Sequence, residues 1–228
     1  ILTEPAYMAF SLAALLFMER WMKKRALLYL AIAVLFCWLS VMTRTAGITL
    51  IAAVAAGAFV FGGISKKSAL RAVGLLIICS LPLIAWSIRN SMLGETSTNY
   101  INQFLLVNPG KPGEGYLSAF SLLEHIRNNF KVHFMDLSQI TGMKPLGLIS
   151  GVFLALGIAG FVQRVRQGIS TPEFYTIFYI GLILIWPYAN VRFMIPIYPL
   201  ILAYIIHGAA FSVKKIPAPR LKAAVSAV

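Results

Sequence analysis

The chain has 228 residues, 59% of them hydrophobic and only 12% charged, with 20 Lys and Arg against 7 Asp and Glu and a formal net charge of +13. At a mean hydropathy of +0.81, this composition excludes an ordinary soluble globule, which needs far more polar surface; lipid accepts an apolar exterior. Nucleic acid is excluded as a partner as well, because the basic residues sit in short clusters between apolar runs and build no basic face interleaved with aromatics.

Seven apolar runs stand out, each near the ~20 residues that cross a bilayer as helix. The first covers roughly 5–19 and opens on Thr3-Glu4-Pro5. Pro5 suits a first helical turn and Glu4 complements the helix dipole, so the ordinary role of Glu4 is capping. The second and third runs, roughly 26–43 and 47–64, are joined by the tight turn Thr43-Arg44-Thr45-Ala46-Gly47. The fourth covers roughly 72–88 and closes on Arg89-Asn90. Cys37 and Cys79 fall inside runs two and four, where they read as small buried hydrophobes with neither a disulfide framework nor metal-ligand spacing.

Residues 89–145 are the one long polar stretch. It opens in the turn formers Gly94, Asn108-Pro109-Gly110 and Pro112-Gly113. Over 117–140, Leu117, Phe120, Leu123, Ile126, Phe130 and Phe134 then recur at three- and four-residue spacing, predicting an amphipathic helix. Such a helix can lie on the membrane surface, pack onto the ends of the spans, or do both. The fifth run, roughly 146–163, holds the GxxxG pair Gly147 and Gly151, with Gly157 and Gly160 following, a helix-packing signal without chemistry. Runs six and seven cover roughly 174–189 and 194–213.

The fold expected is therefore all-α: a polytopic transmembrane helical bundle of about seven spans, one domain over 1–228, with 89–145 as an extracytoplasmic loop. Alternate connections carry the charge. Arg20, Lys23, Lys24 and Arg25, then Lys66, Lys67 and Arg71, then Arg164 and Arg166, and finally Lys214, Lys215, Arg220 and Lys222 fall on one side. The short links opposite hold only Arg44 and Arg192. Since positive residues favour the cytoplasmic side, Ile1 is expected outside and Val228 inside. The first residue is Ile1, with no basic n-region or cleavage site, and the chain is expected to be the C-terminal part of a longer protein.

The middles of the spans hold no Asp, Glu, Lys or Arg, and His207 reads as a packed residue. Proton-coupled transport usually needs charge within the membrane, so this absence weighs against a transporter. Polar residues gather instead at the outer rim: Glu4, Arg44, Arg89 with Asn90, and Arg192. Arginine on this side runs against the charge rule; the alternative to snorkelling toward lipid headgroups is an anionic partner, for which a phosphate held by guanidinium forks is the natural candidate.

Thr3-Glu4-Pro5, Thr43-Arg44-x-x-Gly47, Trp86-Ser87-Ile88-Arg89-Asn90 and Arg192-Phe193-x-x-Pro196-x-Tyr198-Pro199 follow one another in this order. In that order they resemble the GT-C class of membrane glycosyltransferases, in particular the bacterial branch similar to protein O-mannosyltransferases and aminoarabinose lipid A transferases. The resemblance implies transfer of a sugar (hexosyl or pentosyl) from a polyprenyl-phosphate donor to a lipid, glycan or protein acceptor, outside a bacterial inner membrane. It further implies Glu4 as an acid near the acceptor or donor sugar and Arg44, Arg89, Asn90 and Arg192 as phosphate contacts. Tyr188 and Tyr198 would line the lipid or sugar site, although an aromatic belt is their ordinary reading. A divalent cation would need an outer carboxylate cluster such as Glu4 with Glu95 or Asp136. The principal catalytic Asp of the class lies in a first outer loop for which this sequence holds no candidate. Two other classes remain: a flippase for a lipid-linked sugar, recognised by transport without transfer, and a non-catalytic membrane subunit, recognised by a partner captured through 89–145. The segment 1–228 alone is expected to be inactive, and sugar transfer by it in lipid vesicles refutes that expectation.

Overall fold

The computed structural model describes residues 3–93, 106, 111, 113, 115–134, 147–188 and 190–214. Among them the regular structure is helical, apart from one isolated antiparallel bridge between Leu106 and Tyr116. Eight α-helices follow in order: α1 (Glu4–Lys24), α2 (Leu27–Thr43), α3 (Ile48–Phe61), α4 (Lys66–Met92), α5 (Ala119–Phe134), α6 (Gly147–Gln167), α7 (Thr171–Ile185) and α8 (Tyr198–Lys214). Short 3-10 segments at Thr45–Gly47 and Val191–Ile197 complete the set. Each of the seven apolar runs coincides with a helix, and the amphipathic stretch with α5; of the expected 117–140, residues 135–140 lie outside the described residues, as do Gly94, Asn108-Pro109-Gly110 and Pro112.

Among the described residues, three helices are long and apolar enough to cross a membrane: Lys66–Met92, Leu148–Gln167 and Val191–Lys214. Leu27–Thr43, Thr45–Phe61 and Thr171–Ile185 are apolar but shorter. Large apolar side chains cover the outside of the helices; Leu70 is 75% exposed and Ile206 68%. A surface of that kind suits lipid rather than water.

The chain divides into two compact units. The first contains α1 to α5, α7 and the 3-10 segment Val191–Ile197; the second contains α6 and α8. In the first unit α1 lies along α2, and α3 packs against both α4 and α7. Tyr7, Met18, Leu50, Val54, Tyr175 and Tyr179 are fully buried at its centre. Buried hydroxyls find partners there: Tyr175 donates to the Tyr7 hydroxyl at 3.1 Å, and Ser11 of α1 faces Ser40 of α2 at 3.4 Å. Buried polar atoms in an apolar interior must be paired, so these contacts fix the register of the helices.

Side chains repair the helix ends. The N-terminus of α7 carries a capping box of Ser170 and Glu173 with Pro172 in its first turn, and Glu19 of α1 accepts from the Thr171 N–H at 3.0 Å. That cap starts α7 at Thr171, three residues before the expected 174. Its end also comes early, at Ile185, because Pro187 pushes Trp186 into extended backbone at φ −65°, ψ 135°. Asn129 of α5 then donates to the Leu184 carbonyl at 2.9 Å and the Trp186 carbonyl at 2.7 Å, two acceptors the helix leaves open. This contact packs α5 onto the end of α7. The run expected over 194–213 starts as 3-10 helix, since Pro196 lacks the N–H an α-helix needs.

Pro82 interrupts α4, and its missing N–H orphans the Ile78 carbonyl. The Trp38 indole of α2 donates to that carbonyl at 2.9 Å. A single donor thereby closes the gap in α4 and ties it to α2.

In the second unit α6 and α8 cross at glycine. A Cβ on Gly160 would stand 1.9 Å from the Tyr204 carbonyl oxygen, and one on Gly208 would stand 2.0 Å from that of Leu156. Gly151 faces open space. The close approach signalled by the sequence therefore sits at Gly160, with Gly208 as its counterpart. Gly-to-Ala in a helix ordinarily adds about 1 kcal/mol of stability; at this crossing the sign reverses. Gly160→Ala should lower the thermal midpoint in detergent by several degrees, consistent with ~1–3 kcal/mol of overpacking, while Gly151→Ala holds or raises it.

Candidate functional site

The first unit gathers three of the sequence-selected rim residues at one end. α1 opens with Glu4 in its first turn, where Pro5 fixes the backbone and the Tyr7 N–H reaches the Thr3 carbonyl at 3.0 Å. α2 stops at Thr43, Arg44 takes up extended backbone at φ −151°, ψ 139°, and the chain folds straight back into α3. Only glycine allows that reversal, because a Cβ at Gly47 would stand 2.8 Å from the Val41 Cα. The turn points Arg44 at Glu4. Its Nη1 lies 3.0 Å from Glu4 Oε1, an ion pair in which the N–H is not aimed along the contact.

Arg192 reaches the same carboxylate oxygen from the 3-10 segment, its Nε at 3.9 Å. Asn190 builds the approach, its side-chain oxygen accepting from the Arg192 N–H at 3.1 Å. Phe193 is the floor beneath both guanidiniums, with Arg44 Cζ 5.4 Å and Arg192 Cζ 5.8 Å from its ring centre. The Tyr179 hydroxyl donates to the Phe193 carbonyl at 2.8 Å, and Trp186 meets the Phe193 ring edge-on with centroids 6.4 Å apart. Tyr179 of α7 and Trp186 just past its end thus hold the segment that carries Arg192.

Charge in this cluster does not balance: two guanidiniums share one carboxylate. The Glu4 and Arg44 side chains are 7% and 17% exposed, whereas that of Arg192 is 58% exposed. The surplus positive charge is therefore presented outward by Arg192, with Arg44 set behind it. Glu4 is held below the ordinary carboxylate range: its own backbone N–H lowers it most, burial opposes, and Arg44 and Arg192 lower it further. A carboxylate so held is a weak proton acceptor and a firm anchor for Arg44.

A cleft of about 550 Å³ opens beside Arg44, lined by Thr43, Thr45, Trp86, Asn90 and Trp186 among others. The Asn90 side-chain oxygen is buried there with no hydrogen bond among the described residues. Arg89 is turned elsewhere, its guanidinium over the Trp86 ring at 5.4 Å, and it lines a neighbouring apolar groove. Tyr188 is 43% exposed. Tyr198 begins α8 and belongs to the second unit. Glu95 and Asp136, the other carboxylates proposed for a cation, lie outside the described residues, among which no group of three metal-ligating side chains occurs. Glu4 by itself, taken up by two cations, is a poor ligand for a third.

Sequence reading had no ground for giving Phe193, Trp86 and Trp186 a role of their own, although all three stand in the selected segments. Nothing in the sequence distinguished Tyr179 from a core aromatic or Asn129 from a loop residue. Comparison of the chain with protein-family models, curated proteins and solved structures finds no match.

The lowered Glu4 sets a pH dependence. A depressed carboxylate stabilises the fold fully above its unfolded value, about 4.3 for Glu, and loses that contribution as pH falls through the folded value. Wild type should therefore melt higher than Glu4→Gln by a constant margin between pH 6 and pH 8, and the margin should shrink steadily once pH drops below about 4.3. Thermal melts of both proteins in detergent across that range measure it.

Proposed function

We propose that this chain is part of an integral membrane glycosyltransferase of GT-C type, with about seven spans in a bacterial inner membrane and its site on the outer face. In this reading it moves a sugar from a polyprenyl-phosphate carrier to a lipid, glycan or protein acceptor. The observation that carries the reading is the Glu4, Arg44 and Arg192 cluster. Three residues from distant parts of the sequence meet at one end of a lipid-suited bundle, with more positive than negative charge and a cleft alongside.

The chemistry runs as follows. A lipid phosphate diester settles on Arg192 and Arg44, which offer it fork-shaped donors. As the acceptor oxygen bonds to the anomeric carbon, its proton passing to the carboxylate base such a transfer needs, the bond between that carbon and the phosphate oxygen breaks; negative charge grows on the departing lipid phosphate, and two fixed guanidiniums stabilise it there. Glu4 keeps Arg44 in place before the donor arrives. Phosphate binding competes for both guanidiniums, which raises the proton affinity of Glu4 at the moment a sugar lies next to it. Asn90 lines the cleft and brings a side-chain amide to it that can hydrogen-bond a ligand hydroxyl once the side chain turns.

Binding of a long-chain polyprenyl phosphate to the protein in detergent micelles tests the site directly. Arg44→Ala and Arg192→Ala should each weaken it by about tenfold or more, the loss expected for one charge-assisted contact of ~1.5–3 kcal/mol. In the intact protein in membranes, Arg192→Ala should cut sugar transfer severely and leave insertion unchanged. Undiminished binding in both variants removes the cluster from the site and the proposal with it.

A further inference from the structure

At the far end of the 21-residue α1 from Glu4, the first unit gathers a second set of cations. α1 stops where Arg25 enters left-handed backbone at φ 56°, ψ 15°, its N–H closing the helix on the Trp21 carbonyl at 2.8 Å. That conformation suits glycine. Among the described residues Arg25 is the one non-glycine residue with a positive φ. The turn lays its guanidinium against two rings, with Cζ 5.4 Å from the centre of Trp21 and 4.9 Å from that of Phe61 at the end of α3.

Arg71, from the second turn of α4, reaches the same indole, its Cζ 6.0 Å from the ring centre. Gly62 leaves it room, since a Cβ there would stand 3.2 Å from Arg71 Nη1. Trp21 is buried and gives both cations a fixed support. Two guanidiniums on one indole repel, and among the described residues neither has a carboxylate partner. Glu19, near the same end of α1, is turned to the Thr171 N–H. Exposed Lys23, Lys24, Lys66 and Lys67 add positive charge around the pair. Large apolar side chains stand beside it: Leu27, two residues after Arg25, is 77% exposed, and Ile64, after Gly63 with its φ of +74°, is 92% exposed.

We propose that Arg25 and Arg71, seated on Trp21, bind the phosphate of an anionic phospholipid in the leaflet at this end of the unit. The site lies away from the Glu4 cluster and is independent of sugar transfer. Charge complementarity carries the assignment: a guanidinium backed by a ring offers its N–H edge to an acceptor in its plane, as phosphate oxygens are. Without a carboxylate beside them, the two arginines give the ammonium of a zwitterionic head no partner. The exposed leucine and isoleucine side chains suit acyl chains, from which a soluble anion would gain nothing. Backbone strain points the same way, because glycine would end α1 more easily and bring no cation to the indole.

Lipid binding to the purified full chain in detergent tests this end. Native mass spectrometry counts bound dioleoyl phosphatidylglycerol and dioleoyl phosphatidylcholine on wild type, Arg25→Gly, Arg71→Gln and the charge-matched Lys23→Gln, the Glu4 cluster being the same in all four. Arg25→Gly and Arg71→Gln should each weaken the binding of one phosphatidylglycerol about tenfold, the loss of one charge-assisted contact. Lys23→Gln should change it less than about twofold, as a screened surface charge does. Glycine fits the left-handed turn, so Arg25→Gly should keep its thermal midpoint in lipid-free detergent. Undiminished phosphatidylglycerol binding in both arginine variants overturns the site. An equal loss in Lys23→Gln reduces it to general surface attraction and overturns it too. Phosphatidylcholine held as tightly as phosphatidylglycerol overturns the anionic headgroup, and displacement of phosphatidylglycerol by excess inorganic phosphate overturns the lipid in favour of a soluble anion.

Discussion

The carboxylate of Glu4 is the point on which the rim of the first unit depends. It draws in Arg44 from the turn between α2 and α3 and Arg192 from the 3-10 segment after α7. Two guanidiniums so near each other would repel without it, and a carboxylate so little exposed would be costly without them. Phe193 gives both cations a surface to lie on, so the cluster is held by charge and stacking together. The arrangement stays one negative charge short of neutral. In the function proposed above that deficit is what an anionic ligand would fill, whereas a balanced pair would be a structural clamp.

Around this cluster the fold meets a second constraint, the need to satisfy backbone groups in apolar surroundings. It does so with side chains lent across helices. Trp38 of α2 mends α4 at Pro82, Glu19 of α1 caps α7, and Asn129 of α5 closes the far end of α7. Each loan also fixes a position. Asn129 holds the last turn of α7, which leads into Trp186 and on to Arg192; Trp38 holds α4, whose later turns carry Trp86 and Asn90. The cleft inherits its shape from hydrogen bonds made outside it.

Apolar periodicity and length made the helices legible, because lipid-suited segments leave continuous runs that loops do not. Their ends were less so. Residues 171–173 lack the hydropathy of the following run; the helix start there is written locally in the capping box of Ser170 and Glu173 with Pro172, a signal that hydropathy alone passes over, and Glu19, more than a hundred residues away, completes the cap. Gly160 was visible as one of several small residues, but Gly208, the residue that makes it matter, could be paired with it only in the folded unit. Glu4, Arg44 and Arg192 were each conspicuous alone, as charges at a rim where positive residues are disfavoured. Their convergence on one oxygen is tertiary, whereas the stacking of Arg89 on Trp86 is a local contact between residues three apart in α4.

The separation of Arg89 from the pair on Glu4 sharpens what the rim can recognise. Had all three arginines met, the cluster would carry two surplus charges and favour a polyanion such as a diphosphate. With Arg89 stacked on the wall between cleft and groove, the cluster itself offers one surplus charge. One surplus charge fits a phosphate diester, which bears a single negative charge. A free monoester carries about two near neutral pH. In the proposed reaction the diester would be the donor and the monoester the product left behind after transfer. On charge alone such a product would hold more tightly to the two arginines than such a donor does, so in that proposed reaction Glu4, competing for the same guanidiniums, would be the group that returns the site to its starting state.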